Sequence, residues 1–256
     1  MHKAPFIEHL EVMRRMLLRI FAVLMGLMMI IFWFKEEVFK ILLAPKEHNF
    51  VTYRLIERLL HRMGNDFVFE PYHLDLINTQ LSGQFMEHLS ISFYLGCMIA
   101  SPYILFEILG FVTPALYEKE RRYLVPTSLL ILLLFSIGAV MNYFVLFPIS
   151  FRFLGTYQVT ESVHNMITLE SYTSTFITLT LSMGLIFQLP ILSFFLSKIG
   201  ILKSSFMQQY RKHALVAIMI VAAIITPPDV FTLVLVTFPL YLLYEFSILV
   251  VSRTEN

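Results

Sequence analysis

Apolar residues in this chain come in long runs separated by short polar connections. At about 20 residues per helical crossing of ~30 Å of hydrocarbon, the runs predict six membrane-spanning helices. They cover about Met16 to Phe34, Leu89 to Leu109, Leu124 to Phe147, Tyr172 to Leu196, Ala214 to Thr226 and Val230 to Val251. The fifth has only 13 residues. At 1.5 Å per residue it reaches about 20 Å, so neighbouring protein must cover it or the bilayer must thin beside it. A re-entrant hairpin is the alternative there, leaving five spans and putting the termini on opposite sides.

The long connection from 35 to 88 has a helical period of its own. Val38, Ile41 and Leu42 recur at helical spacing before Pro45, and Leu55, Ile56, Leu59 and Leu60 do so before Gly64-Asn65-Asp66. The pattern predicts an ordered outer cap of amphipathic pieces beside the bilayer. The connection from Thr156 to Thr168 is polar and shows no period. Pro102, Pro126, Pro148, Pro190 and Pro239 punctuate the spans, and each interior proline leaves a carbonyl for another group to satisfy. The expected fold is all-α: one polytopic membrane domain over 1–256, its six helices in a bent, concave bundle. No repeat relates two halves, which counts against an inverted-repeat transporter.

Composition agrees. Hydrophobic residues make up 57% and charged residues 14% of 256, more apolar surface than a soluble domain buries. A net charge of +1 leaves no electrostatic footprint for nucleic acid. Cys97 is the only cysteine, which excludes an intrachain disulfide and a cysteine-based metal site. The cations set the orientation. Lys3, Arg14, Arg15 and Arg19 lie at the first span, Lys119, Arg121 and Arg122 follow the second, Lys198, Lys203, Arg211 and Lys212 follow the fourth, and Arg253 follows the sixth. Opposite them stand Arg152 and the cations of the first connection, which is long and acidic enough to weaken the rule. With six spans, both termini and the second connection face the cytoplasm. Arg14-Arg15 ahead of an apolar run mimics a secretory signal, but Arg19 interrupts it and no small-residue cleavage site follows Phe34, so it is read as a retained span.

The second connection, Gly110 to Pro126, is where the chemistry concentrates. Thr113 and Pro114 read as the N-cap and first residue of a helix. On that helix Glu118 reaches Arg121 and Arg122 at i+3 and i+4, whereas Glu120 has only Leu116, Tyr117, Tyr123 and Leu124 at those spacings. Such a carboxylate suits a guanidinium from another chain; a solvated helix end with a loose charge explains the same spacing. Within the spans stand Arg19, Glu107 and Glu245, with Gln188 as the main long polar side chain, and groups at such depth are functional candidates because of their desolvation cost. Arg19 and Glu107 lie near cytoplasmic ends, from which Arg19 can snorkel to water. Gln188 can bond a carbonyl freed by Pro190 or contact a ligand. Glu245 needs a partner that spacing does not name. There is no Gly-rich phosphate loop, G-x-S-x-G or H-E-x-x-H. His9 with Glu11, and Glu87 with His88, lack metal-ligand logic. No enzyme, metal or cofactor is expected.

Short motifs run through the chain in order: His9-Leu10 with Arg14, Ala44-Pro45, then Phe111-x-x-Pro114-Ala115-Leu116-Tyr117-x-x-Glu120-Arg121-Arg122. Phe147-Pro148, Phe187-x-x-Pro190 and Thr226-Pro227-Pro228-Asp229-Val230 complete the set. Taken together, they resemble the TatC family, the multispan subunit of the twin-arginine protein translocase. The resemblance implies a receptor in the bacterial inner membrane that captures the paired arginines of a signal peptide on folded cargo. It implies TatA- and TatB-type single-span partners, an oligomer, and transport driven by the proton-motive force. Signal-peptide contact would then fall on Glu120, with Phe111, Pro114, Tyr117, Arg121, Arg122, Arg14 and Gln188. Structural or partner contacts would fall on Pro45, His9, Leu10, Pro227, Asp229 and Glu245.

Two positions depart from the family pattern. Val12 stands where a glutamate is usual, and Glu11 lies about 100° around the helix from it. Glu8 shares the face of Glu11, and the two are expected to supply the missing charge. Gln188 stands where an acid is common, which keeps hydrogen bonding but not titration. A small-solute or ion transporter is the competing reading, and the scarcity of charge at mid-depth counts against it.

Overall fold

The computed structural model describes residues 6–66, 68–112, 118–160, 162 and 165–255. Along them run α1 (Phe6–Trp33), α2 (Lys35–Leu43), α3 (Val51–Arg62), α4 (Gly83–Val112), α5 (Glu118–Met141), α6 (Phe147–Thr156), α7 (Leu169–Ile186), α8 (Leu189–Lys198), α9 (Ser204–Gln209), α10 (Arg211–Ile225) and α11 (Val230–Glu255), with the two-residue strands β1 (Leu76–Ile77) and β2 (Ile167–Thr168). Two compact units emerge: Met1–Ile41 with Gln80–Leu133, and Leu42–Thr79 with Leu134–Asn256.

Among the described residues four helical runs are long and apolar enough to cross a membrane: Leu10–Trp33, Ser128–Thr156, Leu169–Lys198 and Val230–Glu255. This is a mostly helical membrane protein. The four runs overlap the first, third, fourth and sixth sequence-derived spans. α4 covers the second, and the 15-residue α10 covers the fifth. On α11 the exposed side chains Val230, Val234, Phe238, Leu242, Phe246 and Leu249 recur every three or four residues, the stripe that a lipid-facing helix presents.

In the first unit α1 and α4 pack antiparallel. Phe32 stacks on His88 with centroids 3.8 Å apart. Nearer the middle, a Cβ on Gly96 would sit 3.4 Å from the backbone nitrogen of Met28, so glycine lets the two helices come close.

The second unit has a core of Leu146, Met183, Phe187, Ile218, Ala222, Val236, Leu240 and Leu243. Helices α5 and α7 approach backbone to backbone: a Cβ on Gly138 would lie 2.6 Å from the Met183 carbonyl oxygen. After α5 the chain makes one π-helical turn, Asn142–Leu146, and α6 follows with Pro148 in its first turn. Proline cannot donate to the carbonyl four residues back. The Thr52 hydroxyl of α3 donates to that carbonyl, Phe144 O, instead. Tyr53 OH donates to Pro148 O at 2.6 Å. Pro190 likewise follows a break in the fourth span, between α7 and α8, whereas Pro239 stays inside α11.

The helices expected in the first connection are present as α2 and α3, and Gly64 after them takes a positive φ of 80°. The strands are an addition to the all-α expectation. β1 pairs with β2 in parallel, Leu76 opposite Ile167, a ladder too short to leave an alternating pattern.

Candidate functional site

The first half of α1 carries several of the expected groups. Leu10 and Arg14 are exposed. Glu11 Oε1 accepts a hydrogen bond from Arg15 Nη2 at 2.6 Å, one turn on. Both side chains are largely solvated, and a pair of this kind contributes only about 0.3–0.5 kcal/mol, so Glu11 can exchange its cation.

One further turn along, Arg19 Nη2 lies 3.0 Å from Glu107 Oε2, while Tyr103 OH donates to Glu107 Oε1 at 2.7 Å. The Glu107 side chain is 10% exposed. A carboxylate taken this far from water needs such partners. The Arg19 side chain remains mostly exposed, as a snorkelling arginine would, and the pair with Glu107 is an addition that the antiparallel α4 makes by bringing Glu107 level with it.

Phe111 sits half-buried one turn beyond Glu107. Glu120, Arg121 and Arg122 occupy the first turns of α5. Their side chains, those of Glu8 and His9, and the whole of Thr113, Pro114 and Tyr117 lie outside the described residues.

In the second unit Gln188 stands between α7 and α8, as the residue before the first turn of α8. Its backbone N–H turns to Leu185 O, and its side-chain Nε2 donates to Gly184 O at 3.1 Å. The carbonyl it serves is therefore the one its own N–H has left, not Ile186 O, the one Pro190 frees. Glu245 has its partner in Arg211 of α10, at 2.9 Å. Asp229 caps α11, accepting from Thr232 N at 2.6 Å. Pro45 is buried in the turn Ala44–Lys46, and Tyr172 OH donates to Leu42 O just before it at 2.7 Å. Pro227 borders an open cavity of about 330 Å³ with Ser150, Asn165 and Tyr172. Among the described residues no cluster of His, Cys, Asp or Glu is arranged to hold a metal ion.

A sequence model of the family described as Sec-independent protein translocase protein (TatC) matches residues 8–239. The chain belongs to the TatC family. The TatC of Blattabacterium sp. subsp. Periplaneta americana is 35% identical over 251 residues, covering 96% of this chain and 94% of that protein. The TatC of Desulforapulum autotrophicum is 32% identical over 247 residues, covering 96% and 84%. A crystal structure described as the twin arginine translocase receptor TatC superposes with a TM-score of 0.71 at 30% identity, covering 97% of this chain and 100% of that one.

Sequence reasoning missed one cluster in this TatC-family chain. The Arg152 guanidinium carbon lies 4.5, 4.7 and 5.3 Å from the ring centroids of Phe69, Tyr72 and Tyr53, and Nη2 donates to Glu70 O at 2.8 Å. Burial pushes the phenols of Tyr53 and Tyr72 up from their ordinary value. A cation following the third span, and two aromatics near Glu70 and Pro71, were the available signal.

Proposed function

We propose that this chain is the signal-peptide receptor and core subunit of a twin-arginine translocase, a non-catalytic component that passes folded proteins across the bacterial inner membrane using the proton-motive force. The observation that carries the reading is the TatC family match over residues 8–239, with a twin arginine translocase receptor as structural neighbour. In this reading six spans form a bent, concave bundle in a single membrane domain, with both termini in the cytoplasm. The distribution of Lys and Arg and the four long apolar runs support it. TatA- and TatB-type single-span subunits are the partners, and the receptor works as an oligomer.

Glu120 accepts one guanidinium of the signal, and Glu8 with Glu11 takes the other, Arg15 releasing Glu11 readily because their pair is solvated. Phe111, Pro114, Tyr117, Arg121, Arg122, Arg14 and Gln188 border the path of the peptide. Pro45, His9, Leu10, Pro227, Asp229 and Glu245 hold the frame or a partner. Charge-assisted hydrogen bonds contribute roughly 1.5–3 kcal/mol each. With the purified protein and a labelled peptide of paired arginines followed by an apolar run, Glu120→Gln should weaken binding about ten- to a hundredfold. Unchanged affinity in both Glu120→Gln and Glu120→Ala rejects the role of Glu120.

A further inference from the structure

Among the described contacts of α1 with α4 are Phe32 on His88, Met28 against Gly96, and Arg19 on Glu107. As numbers rise on one helix they fall on the other, so the register is set. Continued by one turn, it puts Arg15 level with Phe111, and Glu11 lies one turn further along α1. The first two contacts are an aromatic stack and a glycine approach, which set the closeness of the helices by shape alone. The third is directional. Glu107 spends one carboxylate oxygen on Arg19 and the other on Tyr103, so its plane is fixed from both sides. It is also the contact nearest the acids assigned above to recognition.

We propose that Arg19 and Glu107 are a positioning pair for signal recognition. By locking α1 against α4 they fix the place of Glu11, and of Glu8 one turn before it, relative to Phe111 in the last turn of α4, from which the chain leads on to Glu120. The inference rests on the receptor reading. It bears most on a chain with Val12 in the usual acidic position, because the substitute acids on α1 sit around the helix from that place and depend on its rotation.

The test uses the full-length protein in nanodiscs and a fluorescent peptide with paired arginines ahead of an apolar run. The same peptide with paired glutamines measures the arginine-independent part. Because loss of one partner strands a buried charge or amide, Glu107→Gln and Arg19→Gln should each weaken arginine-dependent binding by about fivefold or more. The swapped double variant, Arg19→Glu with Glu107→Arg, should recover to within about twofold of the parent. In a Cys97→Ser background, nitroxide labels on Leu10→Cys and Ile108→Cys should give a narrow distance distribution in parent and swap and a broad one in the single variants. A swap that folds but binds as weakly as the singles overturns the proposal, as do labels that stay narrow throughout. Glu120→Gln runs in parallel. Weakened binding there with parental binding in both Arg19→Gln and Glu107→Gln overturns the positioning role alone; unchanged binding there and in Glu120→Ala rejects the Glu120 assignment on which the positioning role rests.

Discussion

Tyr53 shows how one side chain is tied from several directions. Its hydroxyl donates to Pro148 O, lies 3.3 Å from Tyr72 OH, and its ring faces the Arg152 guanidinium. Burial, then the Tyr72 hydrogen bond, raises its pKa, while Arg152 works the other way. In an unfolded chain the phenol titrates near pH 10. Below that pH Tyr53 is protonated in both states and its contribution is fully present. Above it the unfolded chain ionises first, and stability falls until the pH passes the raised folded value. Tyr53→Phe is therefore expected to cost about 1 kcal/mol at neutral pH, from the lost hydrogen bond, and to flatten the alkaline fall. Thermal unfolding in detergent between neutral pH and pH 11 reads both effects, and an alkaline limb as steep as the parent's would contradict the assignment.

Among elements, the contact of α5 with α7 is governed by two glycines that are not equivalent. A Cβ on Gly138 meets the Met183 carbonyl, whereas one on Gly184 meets the Phe135 ring at 2.4 Å. A ring can swing aside; a helix backbone must move as a body. Gly138→Ala is expected to lower stability by about 2–3 kcal/mol and Gly184→Ala by less, an order that melting temperatures of the two variants check. How far such contacts were legible in the sequence depends on their range. The apolar runs and the periods before Pro45 and before Gly64 foretold α2, α3 and the long helices, because those patterns are local. Prolines marked the breaks at Pro148 and Pro190 but equally marked Pro239, where α11 runs on. What distinguishes the first is Thr52, far away in sequence. The pairs Arg19–Glu107 and Arg211–Glu245 were hidden for the same reason, since helix register decides which charges meet. Glu120 stood out from its own neighbours, yet spacing left a solvated helix end as the rival, and only the ordered family motifs supplied the guanidinium proposed for it.

For the whole molecule the open quantity is topology. With six spans, a reporter active only in the cytoplasm should work when fused after Glu255, and one active only outside should work when inserted between Tyr157 and Thr168. The short α10 is the element at risk: if it turned back instead of crossing, the C-terminal fusion would change sides and the insertion would not. The long reach of the contacts around α3 also sets an order in time. Thr52 and Tyr53 bond to residues 92 and 95 positions later, and Leu42 to one 130 positions later. At about 5–20 residues per second, a ribosome makes Thr52 roughly 5 to 18 s before the first of those partners exists. For that interval α3 waits without its partners, and these contacts close only after the chain has been made as far as Pro148.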